Sequence, residues 1–274
     1  MQLSAIFRYP LKSARGIALS EATVRPRGLS ADRRWMLVDE QGRFVTGRIL
    51  PALVLLQVLS DASGALELSW PGADSHREPV PAGDGQRTTV RVWSDQVEAL
   101  LGSTAAAAWL SNRFGRALRL VYMDAEALRM TSDQRGHPAQ PVSFADGYPL
   151  LLCNDASLGA LSEALGRPLE MARFRPNLVV SGAAAWAEDQ WRVLKIGGLH
   201  FRVANPCTRC VFTTVDPERG MRDEDGEPLG ILKRLRQRDE GVIFGVNLLP
   251  MIDAESPQRP LGKLRQGDRI SVLE

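Results

Sequence analysis

The chain has 274 residues, enough to bury a sizeable core in one large domain or two closely associated smaller ones. Its 44% hydrophobic and 24% charged content are those of a soluble globular protein, and a formal net charge of +2 excludes nucleic-acid binding through a broad basic surface. Apolar runs such as Pro149-Leu150-Leu151-Leu152-Cys153 are far too short to span a bilayer, and the strand-like opening residues lead us to expect no secretory leader; with three cysteines, an odd number, the expected compartment is a reducing cytoplasm.

In chain order, residues 3–9, 22–25, 35–39, 44–46, 53–59, 65–70 and 88–93 read as short strands. Turn clusters at 39–42, 60–64 and 81–85 separate them and favour a barrel or sandwich. An alanine-rich helix is expected over 104–112, stopping at Gly115. Residues 124–146, with Gly136-His137-Pro138, are polar and read as a long loop or lid. A second helix begins at the cap candidates Asn154-Asp155, carries Leu158, Leu161 and Leu165 on one face, and stops at Gly166. Residues 191–196 and 199–203 flank Gly197-Gly198 as a hairpin. Residues 211–215 read as the next strand, 230–238 as a basic helix, and 242–249 and 269–273 as closing strands. The expected fold class is α+β and β-rich, with two lobes joined near residues 120–148.

Cys207-Thr208-Arg209-Cys210 is the most reactive-looking stretch. In a dithiol redox site the second cysteine enters a helix, whereas Cys210 is followed by Val-Phe-Thr-Thr-Val, which reads as strand. A structural zinc site wants four ligands, and Cys153, His76, His137 and His200 form no second pair. Cys207, beside Pro206, reads as a small apolar filler. Cys210 differs, because Arg209 would favour its thiolate and the following segment fixes its direction, which suits a soft-metal ligand.

Four motifs then occur in order: Tyr9-Pro10-Leu11-Lys12-Ser13, Asp32-Arg33-Arg34-Trp35, Arg173-Phe174-Arg175-Pro176-Asn177, and Cys207–Cys210 with Thr213-Thr214-Val215-Asp216-Pro217. Together they resemble the MOSC-domain molybdoenzymes with an N-terminal β-barrel, which include amidoxime-reducing and hydroxylaminopurine-detoxifying members. The resemblance implies an N-terminal barrel over 1–120 packed on a MOSC β-barrel domain over 121–274, with peripheral helices. It also implies a molybdenum cofactor whose metal takes one protein sulfur, which maps to Cys210 as metal ligand and catalytic residue. Cys207 has no required role in that pattern. Lys12 and Ser13 would meet the phosphate or pterin, Arg33 and Arg175 would bind anionic groups, and Asn177 would face the pterin edge. Thr208 and Arg209 would hold the cofactor beside the metal, while Tyr148 and Asn247 occupy pocket positions of the family. Read without the family, Lys12 is an ordinary snorkelling lysine and the arginines pair with the plentiful carboxylates.

The implied activity is reduction of N-hydroxylated compounds, such as hydroxylamines, amidoximes and hydroxylated purines, by oxygen-atom transfer. The chain shows no Gly-x-Gly-x-x-Gly fingerprint, has too few cysteines for an all-cysteine iron–sulfur cluster, and stops at Ser271-Val272-Leu273-Glu274. A separate ferredoxin, flavoprotein or cytochrome is therefore the expected electron donor, with no nucleic acid and no membrane span. The alternative is a molybdenum cofactor-binding or sulfur-carrier protein without turnover.

Overall fold

The computed structural model describes residues 1–131, 138–252 and 259–274; Gly136 and His137 of the expected lid lie outside the described residues. The larger sheet runs, in spatial order, Ile17–Leu19, Gln2–Arg8, Leu178–Ser181, Leu150–Asn154, Gly241–Pro250, Leu199–Thr208, Val193–Ile196 and Ile270–Val272. Leu150–Asn154 and Leu178–Ser181 pair in parallel, and the helix Asp155–Leu165 lies in the connection between them. The other pairings in this sheet are antiparallel. A second sheet runs Arg87–Val92, Asp95–Leu101, Arg119–Tyr122, Trp35–Val38 and Phe44–Val45.

The first strand belongs to the sheet built by the second half of the chain, with Ile6 paired to Leu178. Likewise Glu21–Arg25 pairs with Gly262–Arg265 near the other terminus. These ladders hold the Tyr9–Ser13 segment, which follows the first strand, against residues far along the chain. The Trp35–Val38 run is apolar at every position because both of its faces are covered. Trp35 and Leu37 pack with Leu11, Leu110 and Leu120, while Met36 and Val38 pack with Val90, Val121 and Phe144.

Both anticipated helices carry the expected ends. Ser103 caps Thr104–Phe114 through Ala106 N–H at 3.0 Å, and Asn154 caps Asp155–Leu165 through Ala156 N–H at 3.1 Å. Gly115 and Gly166 close them in the left-handed region, at φ 63° and 77°. The hairpin at Gly197-Gly198 is also present, with Ile196 paired to Leu199.

Three segments differ from expectation. Val211–Thr214 is a 3₁₀ turn and not a strand: Thr213 Oγ1 donates to Cys210 O at 3.0 Å and Thr214 Oγ1 to Val211 O at 2.8 Å. Those local hydroxyl bonds override the β-preference of the side chains. Pro51–Leu55 is likewise 3₁₀, with Pro51 in its first turn, leaving Gln57–Ser60 as the strand. The basic helix covers Leu229–Arg236, and Gln237–Arg238 then pairs with the start of Gly241–Pro250.

Candidate active site

The Tyr9–Ser13 and Asp32–Trp35 motifs are laced together by backbone. Arg33 N–H donates to Tyr9 O at 2.6 Å and Lys12 N–H to Trp35 O at 2.9 Å, while Asp32 Oδ1 accepts from Tyr9 N–H at 2.8 Å. Ser13, Arg33 and Arg175 all hold positive φ, at 70°, 49° and 56°. Three non-glycine residues in that region at one site are stored strain that the surrounding bonds enforce.

The Tyr9 ring is the hub of this arrangement. The Arg33 and Arg175 guanidinium carbons lie 4.5 Å and 4.2 Å from its centroid, and its hydroxyl donates to Pro176 O at 3.1 Å. Burial, partly opposed by Arg175 and Arg33, pushes the phenol up to about 12, so it stays neutral. Arg33 donates to Asp32 Oδ2 at 2.6 Å, Asn177 Oδ1 at 3.0 Å and Arg175 O at 3.2 Å. Burial works to lower its pKa, but the charge and hydrogen bond of Asp32 outweigh it and hold it above the ordinary value. Arg175 donates Nη1 to Ala14 O at 2.8 Å, and burial lowers its pKa to about 10.

Lys12 and Asp146 form the other wall. Lys12 Nζ donates to Asp146 Oδ1 and Phe144 O, both at 2.6 Å. Burial lowers the ammonium to about 8, against the raising effect of Asp146. Burial would raise the Asp146 carboxyl, yet Lys12, Arg48 and Arg33 hold it well below the usual carboxylate range.

The two cysteines are unequal, in a way the sequence did not indicate. Arg209 donates Nη1 to Cys207 Sγ at 2.9 Å and Nη2 to Phe174 O at 2.8 Å, so the guanidinium expected to serve Cys210 sits on Cys207. Cys210 meets Arg48 instead, with Nη1 3.9 Å from its Sγ. Burial pushes the third thiol, Cys153, far up, and it packs among Leu161, Phe174 and Phe244 as an apolar group.

All ten sequence-predicted site residues border one cavity of about 330 Å³. Lys12, Ser13 and Arg33 come from the N-terminal motifs, and Tyr148, Arg175 and Asn177 flank strands of the large sheet. Thr208 ends the long Leu199–Thr208 strand, Arg209 and Cys210 follow it, and Asn247 lies on its neighbour. Asn177 is 1% exposed with its amide already committed: Nδ2 donates to Phe7 O at 3.2 Å, and Oδ1 accepts from Arg33 and from Leu151 N–H at 3.2 Å. Asn247 Nδ2 donates to Asn205 Oδ1 at 2.9 Å.

Sequence reasoning missed Arg48, Trp93, Asp146 and Phe212, which also border the cavity. The signal for Trp93 was its place before Ser94 at a strand end, where an exposed turn follows. Arg48 and Asp146 carried no local signal.

The lining contains six cationic side chains, Lys12, Arg33, Arg48, Arg173, Arg175 and Arg209, and one carboxylate, Asp146. Arg173 is neutralised by Glu170, Asp216 and Asp223. Among the described residues, Arg48, Arg175 and Arg209 form no ion pair with a carboxylate. Arg175 Nη2 and Arg209 Nε are moreover buried without an acceptor among the described residues. Unpaired buried guanidinium donors are costly unless an anion completes them, so the cavity fits an oxygen-rich anionic ligand.

Residues 1–117 match the MOSC N-terminal beta barrel domain and residues 139–271 the MOSC domain. The chain is 31% identical over 282 residues to mitochondrial amidoxime-reducing component 1 of Mus musculus, covering 99% of this chain and 82% of that protein. It is 31% identical over 281 residues to mitochondrial amidoxime reducing component 2 of Homo sapiens, covering 98% and 82%. With component 1 of Xenopus laevis the identity is 29% over 279 residues, covering 98% and 81%. The ordered motifs, the β-rich fold and these matches agree, and the chain belongs to the MOSC family, with a MOSC N-terminal β-barrel domain followed by a MOSC domain.

Proposed function

We propose that the chain is a reductase of N-hydroxylated compounds that works with a molybdenum cofactor held in this cavity. The observation that carries the reading is the convergence on one cavity of three arginines, Arg48, Arg175 and Arg209, that have no carboxylate partner among the described residues, with Cys210 on the same wall. When bound, the molybdenum cofactor supplies the two-electron oxygen-atom transfer that removes the hydroxyl oxygen from nitrogen. Cys210 would be its protein sulfur ligand.

The chain's own part is binding and orientation. Arg175 and Arg209 have buried donors left for an anionic group, and Lys12 has an N–H beyond its two bonds to Phe144 and Asp146. Asn177 acts by fixing Arg33. Ser13, Thr208, Tyr148 and Asn247 supply polar groups around the cavity for the heteroatom-rich pterin. Electrons come from a separate ferredoxin, flavoprotein or cytochrome in a cytoplasmic, detoxifying setting. The division at residue 120 separates the N-terminal barrel from the MOSC domain. Among the described residues no helix is long and apolar enough to cross a membrane.

Metal analysis of the chain purified from a molybdenum-competent host tests the cofactor directly. Stoichiometric molybdenum is expected in the wild type and in Cys207→Ala, and its loss in Cys210→Ala. The reverse pattern, or zinc in place of molybdenum, would overturn the assignment. Reduction of hydroxylaminopurine with an artificial electron donor tests turnover; full molybdenum without reduction would assign the chain to cofactor carriage.

A further inference from the structure

Anion binding leaves the Trp93 side of the cavity unexplained. Val92 pairs with Asp95, so Trp93 and Ser94 form a two-residue hairpin turn, and Trp93 holds φ 58°. Glycine, asparagine and aspartate are at ease in that conformation, whereas a bulky indole is strained. Burial does not offset the strain, because Trp93 is 45% exposed. It nonetheless borders the cavity. A large aromatic held in strained backbone, half in solvent and facing a cavity, is the pattern of a ligand contact.

The neighbours of Trp93 connect it to Cys210. Phe44 packs against the indole with ring centroids 5.2 Å apart, and the Arg48 guanidinium carbon lies 4.1 Å from its centroid. The same guanidinium places Nη1 3.9 Å from Cys210 Sγ. Arg48 makes no ion pair among the described residues, so stacking on Trp93 orients it while its charge stays available. Gly47, just before it, packs so closely on the Phe212 ring that a Cβ there would overlap it.

We infer that Trp93 and Arg48 form the substrate subsite, selective for planar conjugated N-hydroxylated compounds such as hydroxylaminopurines and aryl amidoximes. The exposed indole takes the flat conjugated part of the substrate, and the Arg48 guanidinium donates to the N–O oxygen beside Cys210. Trp93 is thereby the specificity-determining residue and Arg48 the orienting one. This inference rests on the reductase reading, and it adds the shape of the substrate.

Trp93→Asn is the informative variant, since asparagine removes the ring and suits φ above zero. The experiment compares kcat/KM for hydroxylaminopurine, which is planar, with that for N-methylhydroxylamine, which has no conjugated face, on the molybdenum-loaded chain. The selectivity ratio is expected to fall about tenfold or more in Trp93→Asn, the range of one lost aromatic stack, and to recover in Trp93→Phe. The thermal midpoint of Trp93→Asn is expected to rise, because strain is relieved. An unchanged ratio, or equal loss with both substrates, would overturn the subsite. If the wild type reduces neither compound, the reductase reading fails instead. Calorimetric binding of hydroxylaminopurine to the wild type and Trp93→Asn then still decides the subsite: weaker binding by about tenfold supports it, and equal binding refutes it.

Discussion

The Arg33 guanidinium donates to the Asn177 side-chain oxygen at 3.0 Å, across 144 positions of sequence. The same amide oxygen takes the Leu151 N–H, and the amide nitrogen donates to Phe7 O. One buried side chain thus ties the end of the first strand, the start of the Leu150–Asn154 strand and a cavity cation together. Asn177→Leu keeps the bulk and removes every one of these bonds. It is expected to cost roughly 1–3 kcal/mol of unfolding free energy, because Leu151 N–H is left buried and unpaired and the half-buried Phe7 carbonyl loses its donor. Chemical denaturation checks the loss, and molybdenum content of the same preparation should fall with the freed Arg33. A variant as stable as wild type would show that these groups find other partners.

Gly47 predicts a second sensitivity. A Cβ at this position would overlap the Phe212 ring, which sits two residues past Cys210 in the 3₁₀ turn. Gly47→Ala is expected to destabilise the chain by roughly 1–3 kcal/mol through overpacking. It should also displace the Cys210 segment, so molybdenum retention falls in protein that still folds. Retention equal to wild type would mean that Phe212 moves without carrying Cys210 with it.

A control lies away from the cavity. Glu188 is fully buried and accepts from Ser157 Oγ at 2.7 Å and Asn154 Nδ2 at 2.9 Å. Ser157 also accepts from Trp186 N–H at 2.8 Å. Ser157→Ala is expected to lower stability by roughly 1–3 kcal/mol and to leave molybdenum content as in wild type, read by calorimetric unfolding and metal analysis.

The motifs made the cavity legible because each carries its chemistry within a few residues: Lys12-Ser13, Arg33, Arg175 with Asn177, and Thr208-Arg209-Cys210 all reach it. Helix ends were legible for the same reason, since Asn154 and Gly166 act on backbone groups one turn away or less. What local reading missed is long-range. Nothing near Arg48 says that it meets Cys210, 162 positions later. Arg209 was expected to act on its neighbour Cys210, yet its side chain turns to Cys207, and Phe174 O fixes it there. Val211–Thr214 departs from the β-preference of its side chains because the threonine hydroxyls bond back to the preceding carbonyls.

The Lys12–Asp146 pair predicts how pH acts on the cavity. Burial lowers the Lys12 ammonium from its ordinary 10.5 to about 8, with Asp146 raising it in part. Between those values the unfolded chain keeps the proton and the folded chain has released it, so this group makes folding more favourable as pH rises through the window. Its effect on an anionic ligand has the opposite sign, because the neutral amine no longer attracts it. Molybdenum retained after dialysis is therefore expected to decline as pH rises past about 8, while the apoprotein shows no matching loss of thermal stability. Lys12→Arg keeps its charge and should flatten the decline. Asp146→Asn removes the partner that raises the lysine, so the midpoint should move to lower pH. Retention that is flat to pH 9.5 in the wild type, or a decline that persists in Lys12→Arg, would show that Lys12 does not hold the anionic group.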